Sequence, residues 1–151
     1  MKFSTRCDTE LAAAALFDRI SDFDRSEKIL QRRGVAVRRL EAGQMQGAGR
    51  GWHLGFDWRG QRRDVQLHLT QLDRPERIGL SGGSENYDIA VNMSVVALGR
   101  HRSRLIFETD IRPLNMRARL MLQTAKLGKA QLQRKYCERI RNYLDQMLVA
   151  A

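Results

Sequence analysis

The sequence predicts an α+β fold in which a curved antiparallel β-sheet of about six to seven strands wraps on a long C-terminal α-helix. Two observations support this prediction. From Val35 to Arg112, apolar and polar residues alternate with a period of two, which is typical of strands with one dry face and one wet face. From Pro113 to Ala151, apolar residues instead recur along one helical face. Such a helix needs an apolar partner, and the dry face of the sheet provides one.

The start of the chain predicts one short strand followed by two short helices. Lys2–Cys7 alternates as a strand, and Glu10–Ile20 has the apolar spacing of a helix. Ser21 or Asp22 is placed to cap a second short helix, and Gly34 is placed to end it. We therefore expect a V-shaped pair of helices between the first strand and the rest of the sheet.

The middle of the chain predicts the remaining strands and the turns between them. The alternating segments are centred on Val35–Val37, Gly51–Arg59, Asp64–Leu72, Ile78–Leu80, Asn86–Leu98 and Ser103–Arg112. Glycine and charged residues between them indicate hairpin turns at Arg59–Arg62 and Gly99–Arg102, and a looser turn at Ser81–Ser84.

The C-terminal stretch predicts a single helix of about thirty residues. Pro113 breaks the preceding strand, Asn115 is a plausible N-cap, and no proline follows. The face directed at the sheet is expected to contain Leu114, Met121, Leu122, Ala125, Leu132, Tyr136, Ile140, Tyr143 and Met147.

Length and composition are typical of one globular domain over residues 1–151, with 42% apolar and 29% charged residues. Cys7 and Cys137 form neither a disulfide framework nor a metal motif. The N-terminus has carboxylates ahead of a short alanine run, unlike a signal peptide, and no apolar stretch approaches the length of a membrane span. We expect a cytoplasmic protein with reduced thiols.

The net charge of +10 allows three interpretations: a nucleic-acid surface, peripheral contact with an anionic membrane, or simple solubility. The nucleic-acid interpretation is disfavoured because the aromatic side chains fall on the dry face, where bases could not stack on them. The wet face carries carboxylates that would repel phosphate, namely those of Asp57, Asp88, Glu108 and Asp110.

The order of elements and the segment FDRISDFDRSEKI at residues 17–29 resemble the START-like superfamily, also called helix-grip or SRPBCC. Within that superfamily, the chain resembles members of the bacterial polyketide cyclase/dehydrase and lipid-transport families. The resemblance implies a hydrophobic cavity between the sheet and the terminal helix. It carries over no catalytic residue, because the superfamily has no shared catalytic motif to match here.

We predict that this cavity is lined by residues of the dry face and of the terminal helix. For any one of the aromatic residues, ordinary core packing is the competing interpretation. Lys129 lies in the apolar sector of the helix, where it either extends to solvent or meets an anionic head group at the mouth of the cavity. The predicted ligand-binding residues are Trp52, Leu54, Phe56, Leu67, Leu69, Tyr87, Ile89, Val91, Met93, Phe107, Thr109, Met121, Ala125 and Lys129.

Three functions remain open from the sequence. The first is non-enzymatic binding or transport of a small hydrophobic ligand that is lipid, quinone-like or polyketide-like. The second is a polyketide cyclase or dehydratase, which would need a polar group such as Thr109 or Tyr87 facing the cavity. The third is an interaction module with a filled interior and a partner at Leu120 and Leu127. No cofactor, metal site or catalytic residue is predicted, and the oligomeric state is left open.

Overall fold

The computed structural model describes residues 1–41 and 49–149, which form seven strands and four helices. The strands are β1 (Lys2–Thr9), β2 (Ala36–Arg39), β3 (Gly51–Trp58), β4 (Gln61–Asp73), β5 (Arg77–Gly83), β6 (Tyr87–Gly99) and β7 (Arg102–Pro113). The helices are α1 (Ala13–Ile20), α2 (Phe23–Arg32), α3 (Met116–Lys126) and α4 (Lys129–Leu148).

The seven strands form one antiparallel sheet in the order β1-β7-β6-β5-β4-β3-β2. The first strand, β1, therefore lies at one edge of the sheet and pairs with the last strand, β7. The strands from β7 back to β2 form a meander. The predicted α+β architecture, with two short helices after the first strand and a C-terminal helical segment against the sheet, is confirmed.

The backbone conformation of the turn residues determines where the hairpins lie. Between β3 and β4, Arg59 has φ 52° and Gly60 has φ 74°, the left-handed pair that a tight two-residue hairpin turn requires. The predicted turn at Ser81–Ser84 is displaced, because β5 continues to Gly83. A Cβ at Gly82 would lie 1.9 Å from the carbonyl oxygen of Gln66, so only glycine allows β5 to pair this closely with β4.

The two short helices follow the prediction with one shift. The first begins at Ala13 rather than at Glu10, because β1 extends to Thr9 and the hydroxyl of Ser103 holds the carbonyl of Leu11 at 2.7 Å. The second is capped by Asp22, whose Oδ1 accepts a hydrogen bond from the Arg25 backbone N–H at 3.2 Å.

The predicted single terminal helix is instead two helices that meet at Leu127 and Gly128. Its N-cap is confirmed, since Asn115 Oδ1 accepts from the Ala118 N–H at 2.8 Å. At the break, the N–H groups of Leu127 and Gly128 donate three residues back rather than four, which tightens the last turn of α3. Glycine is a poor helix former, so position 128 is a natural place for this break. Residues 150 and 151 of the predicted span lie outside the described residues.

The main core lies where α1 and the C-terminal half of α4 pack on the sheet. Leu16, Ile20, Ile78, Leu105 and Leu144 are fully buried there. At one margin, Arg74 makes two hydrogen bonds of 2.8 Å with the carboxylate of Asp18 and so ties the β4–β5 turn to α1. This core occupies one end of the sheet. Elsewhere, α2 contacts β2, α3 contacts β7 and α4 contacts β1.

Candidate functional site

The strand register brings the predicted sheet residues to one face. Residues opposite each other in an antiparallel pair share a face, and the register pairs Trp52 with Leu67, Leu69 with Leu80, and Met93 with Phe107. We call the face that packs against the helices the inner face. It contains all eleven predicted sheet residues: Trp52, Leu54, Phe56, Leu67, Leu69, Tyr87, Ile89, Val91, Met93, Phe107 and Thr109.

These residues divide into a sealed group and an open group. Val91 and Met93 are buried within the core cluster that contains Leu16 and Phe17, and Leu69, Ile89 and Phe107 pack against that cluster. Trp52 is also buried, with its ring centroid 5.2 Å from that of Phe23 in α2. Leu69, Ile89 and Phe107 are only half-buried, so the sealed group is defined by packing on the core and on Phe23.

The open group consists of half-buried inner-face residues, which we call the apolar groove: Leu54, Phe56, Leu67, Tyr87 and Thr109. A large apolar side chain on the concave side of a sheet is normally buried completely when helices cover it. Unlike Leu69, Ile89 and Phe107, these five residues are not part of the packed cluster, and they keep some of their surface exposed.

The helical residues predicted for the site lie at different depths. Ala125 is half-buried and Met121 is 39% exposed, with its sulfur 3.8 Å from the Tyr87 hydroxyl. Lys129 is exposed at the first residue of α4. Burial lowers the pKa of the Met1 amine, and the nearby charges of Lys126 and Lys129 lower it further against the opposing effect of Asp110.

A pair of hydroxyl groups lies between the sheet and α4. The Thr109 and Tyr136 hydroxyl oxygens are 3.0 Å apart, and the Tyr136 hydroxyl also donates to the Phe107 carbonyl at 3.3 Å. The Tyr136 ring stacks on Phe3 with centroids 5.3 Å apart. Burial raises the pKa of Tyr136 to about 12, so this phenol stays protonated at neutral pH.

Glu27 contributes a carboxylate that sequence reasoning missed. It accepts hydrogen bonds from the Trp52 indole at 2.7 Å and from Arg39 Nε at 2.8 Å. The Arg39 hydrogen bond is the main reason that the pKa of Glu27 is lowered, and the Trp52 bond acts in the same direction. No local sequence motif predicts this network, because its members come from three separate elements, α2, β2 and β3.

Gln71 continues the alternation of Leu67 and Leu69 in the sequence, which predicts it on the same face, but a β-bulge turns it away. The register between β4 and β5 shifts between Leu69 and Gln71, so that Gln71 pairs with Gly79. The neighbours of Gly79, Ile78 and Leu80, belong to the inner face, so Gln71 lies on the outer face.

Two clefts open at the surface of the described residues. One, of about 300 Å³, is lined by Asp8, Thr9 and Arg141, among others. The other, of about 170 Å³, lies between the ends of β4 and β6 and the first turn of α3, with Arg63, Tyr87 and Met121 among its lining residues. Arg63 is opposite Phe56 and therefore belongs to the inner face, which its even spacing from Val65 and Leu67 signals in the sequence.

Within residues 1–41 and 49–149, no group of three His, Cys, Asp or Glu side chains is arranged to hold a metal ion. In particular, His53 faces a single carboxylate, that of Asp64, at 3.6 Å. None of the helices in this part of the chain is long and apolar enough to cross a membrane.

No family model and no curated protein sequence matches the chain. Solved structures do match it. An aromatase/cyclase from Streptomyces sp. R1128 is 15% identical, with a TM-score of 0.70 over 97% of this chain and 93% of that one.

Two further structures share the architecture. A truncated norcoclaurine synthase from Thalictrum flavum is 8% identical, with a TM-score of 0.68 over 100% of this chain and 94% of that one. A START superfamily protein from Mycobacterium smegmatis is 16% identical, with a TM-score of 0.53 over 92% of this chain and 98% of that one. With the strand order and helix placement described above, these likenesses show that the chain has the START-like, helix-grip fold.

Proposed function

We propose that the protein binds a small hydrophobic ligand, of lipid, quinone-like or polyketide-like character, in the apolar groove. The observation that supports this proposal best is the half-buried state of Leu54, Phe56 and Leu67 on the concave side of the sheet. Exposed apolar surface in a concave site is what an apolar ligand would cover. Solved structures of this fold include an aromatase/cyclase.

Affinity in such a groove would come mainly from apolar burial, worth roughly 25 cal/mol per Å² before the entropy of association is subtracted. Residues of the sealed group would hold the floor rigid beneath the ligand. Met121 contacts Tyr87 at a margin of the groove, where a flexible thioether adapts to ligands of different shape.

We also propose that the protein collects or delivers this ligand at an anionic membrane. Met116, Leu120 and Leu127 are 65%, 57% and 90% exposed. At 100° per residue, they fall within about 40° of one another on α3, opposite the buried Ala118. Exposed Arg119 and Lys126 lie beside this apolar ridge, which is the arrangement that an anionic lipid surface attracts.

Native mass spectrometry tests the binding function and does not require the ligand to be identified first. The purified protein is incubated with a total bacterial lipid extract, repurified and measured before and after denaturation. We expect a discrete added mass that is lost on denaturation, and we expect Phe56→Asp to lack it. An unmodified mass for the wild-type protein after this exposure, or equal loading of folded Phe56→Asp, would contradict the proposal.

A cyclase or dehydratase is the second candidate, favoured by the likeness to the aromatase/cyclase fold. Thr109 and Tyr87 are the polar groups that the sequence offers for it, and the Thr109 hydroxyl is hydrogen-bonded to that of Tyr136. With the pKa of Tyr136 at about 12, that phenol is suited to donate a hydrogen bond and not to act as a base at neutral pH. Turnover of a polyketide-like substrate that Tyr136→Phe abolishes, without loss of substrate binding, would establish this candidate.

A further inference from the structure

The cleft between β4, β6 and α3 combines two guanidinium groups with the margin of the apolar groove. Arg63 and Arg117 line it together with the amide side chains of Gln61 and Asn86. Tyr87, which also belongs to the groove, and Met121 form its apolar side. A molecule in the groove could therefore extend a polar end into the cleft without leaving the inner face.

Arg63 is held in the cleft by the sheet. It lies opposite Phe56 in the β3–β4 pair, and its guanidinium carbon is 5.7 Å from the centroid of the Trp58 ring. Its Nε is buried and has no hydrogen-bond partner among the described residues. A buried donor without a partner is costly, and buried polar atoms in native proteins are nearly always paired. Arg63 therefore has a hydrogen-bond donor that no described residue uses.

Arg117 is positioned by the start of α3. Asn115 caps the helix and donates from its Nδ2 to Asn86 Oδ1 at 2.8 Å, while the Leu114 N–H donates to the Asn86 carbonyl at 2.8 Å. These bonds fasten the first turn of α3 to the β5–β6 turn. Arg117, two residues beyond the cap, is thereby fixed on the same cleft as Arg63.

The charges of these two arginines are not neutralised by any carboxylate in the described part of the chain. Neither forms an ion pair there, whereas Arg39, Arg74 and Arg104 each do. Two positive charges on one small cleft repel each other and attract an anion. Planar guanidinium groups suit the oxygens of a carboxylate or phosphate in particular.

We propose that this cleft binds the oxyanion of an amphiphilic ligand, a carboxylate or a phosphate, while the apolar part of that ligand lies in the apolar groove. The inference rests on the proposed binding function and specifies its ligand class. Lys129, which from the sequence either extends to solvent or meets a head group, does not line this cleft, so we assign the head group to Arg63 and Arg117.

The experiment displaces a neutral fluorescent probe, N-phenyl-1-naphthylamine, with three twelve-carbon competitors that differ only in their head groups. These are dodecanoate, dodecyl phosphate and dodecanol. A charge-assisted hydrogen bond at a partly exposed site favours the ionised competitors by about tenfold. We expect Arg63→Gln and Arg117→Gln to remove this preference while the probe itself still binds. Arg59→Gln is the matched control, because Arg59 stacks on Trp58 and does not line the cleft.

The outcomes separate the two proposals. Equal displacement by all three competitors, or a preference that survives both arginine substitutions, would overturn the oxyanion site and leave the binding function intact. A preference for only one anion, lost in both variants, would support the site and identify the head group. Absence of probe binding to the wild-type protein would instead contradict the binding function, and the oxyanion site would be rejected with it. Arg117→Gln, on an exposed helical position, keeps the test decisive if Arg63→Gln does not fold.

Discussion

The hydroxyl oxygens of Thr109 and Tyr136 lie 3.0 Å apart and join the middle of β7 to the middle of α4. The contact involves Thr109 of the apolar groove, and Phe3 stacks on the tyrosine ring. It satisfies two hydroxyl groups that would otherwise be desolvated without a partner, and it therefore helps to fix the height of the helix above the sheet.

Tyr136→Phe should lower the free energy of unfolding by about 1 kcal/mol, because it leaves the Thr109 hydroxyl and the Phe107 carbonyl without this partner while keeping the ring. Urea denaturation followed by circular dichroism measures the change. The double variant Tyr136→Phe with Thr109→Val should recover part of the loss, since both ends of the bond are then apolar. A double variant that is less stable than the sum of the single losses would contradict this interpretation.

Alkaline pH should destabilise the protein partly through Tyr136. Its pKa is raised from 10.0 to about 12, so the unfolded state releases the phenolic proton first as the pH rises. The stabilising contribution is complete below pH 10 and is lost as the pH approaches 12. The free energy of unfolding of Tyr136→Phe should therefore fall less steeply over this interval than that of the wild-type protein. Parallel curves for the two proteins would show that this tyrosine does not titrate as described.

Glu27→Gln should cost about 1–2 kcal/mol of stability, because a carboxylate that is mostly shielded from solvent loses its charged hydrogen bond with Arg39. Asp24→Asn is the control: Asp24 also pairs with Arg39, but it is exposed and should matter by less than about 0.5 kcal/mol. The lowered pKa of Glu27 predicts that this stabilisation is present above its ordinary pKa of 4.5 and lost as the pH falls through its lower, folded-state pKa. Thermal unfolding scans of the three proteins at neutral and acidic pH would detect both effects; equal losses for the two substitutions would contradict them.

Two glycines should respond oppositely to alanine. A Cβ at Gly82 would meet the Gln66 carbonyl oxygen at 1.9 Å, so Gly82→Ala should disrupt the β4–β5 pairing and cost several kcal/mol, on the order of other severe core substitutions. At Gly128, the nearest atom to an added Cβ is 3.9 Å away, so Gly128→Ala should be neutral or stabilising by about 0.5–1 kcal/mol through its higher helix propensity. Midpoints of urea unfolding compare the two directly. Strong destabilisation by Gly128→Ala would mean that the break between α3 and α4 is required by the fold.

Binding to anionic vesicles should depend on the outer face of α3. Co-sedimentation with vesicles of phosphatidylglycerol and phosphatidylcholine should fall at least about fivefold for Leu120→Asp combined with Leu127→Asp, because each removes exposed apolar area and adds a repelled charge. Leu72→Asp, at an exposed leucine in β4, should retain binding. Added salt should weaken the wild-type interaction, since its electrostatic part is screened. Equal sedimentation of all variants would place the membrane contact elsewhere.

Periodicity made the sheet predictable. The alternation in Gly51–Trp58 and in residues 87–96 assigns each residue to a face. One face had to be dry, so the inner-face residues of these segments follow directly from the sequence. The same parity rule fails at Gln71, because a β-bulge inserts one residue and moves the side chain to the other face. Local sequence carries no clear sign of that bulge.

The candidate site was harder to predict because it depends on long-range contacts. Which dry-face residues are sealed and which are open is decided by where α1 and α4 pack, so Met93 and Phe56 look alike in the sequence yet differ in burial. Glu27 reaches Trp52 across two elements, and Arg117 joins Arg63 only because Asn86 anchors the start of α3. The helix break at Leu127 and Gly128 could have been predicted from the single glycine at position 128. The apolar residues continue along one face on both sides of this glycine, and they favoured the prediction of one unbroken helix.

The most direct test of ligand binding in the apolar groove is a titration with N-phenyl-1-naphthylamine, comparing the wild type with Phe56→Asp and Val96→Asp. Phe56 belongs to the apolar groove, whereas Val96 is exposed and faces outward, opposite Arg104 on β7. We predict a saturable rise in probe fluorescence for the wild type and Val96→Asp, and an affinity at least about tenfold weaker for folded Phe56→Asp, since a buried carboxylate opposes an apolar ligand. Equal binding by all three proteins, or no saturable binding by the wild type, would contradict the claim that the groove holds a hydrophobic ligand.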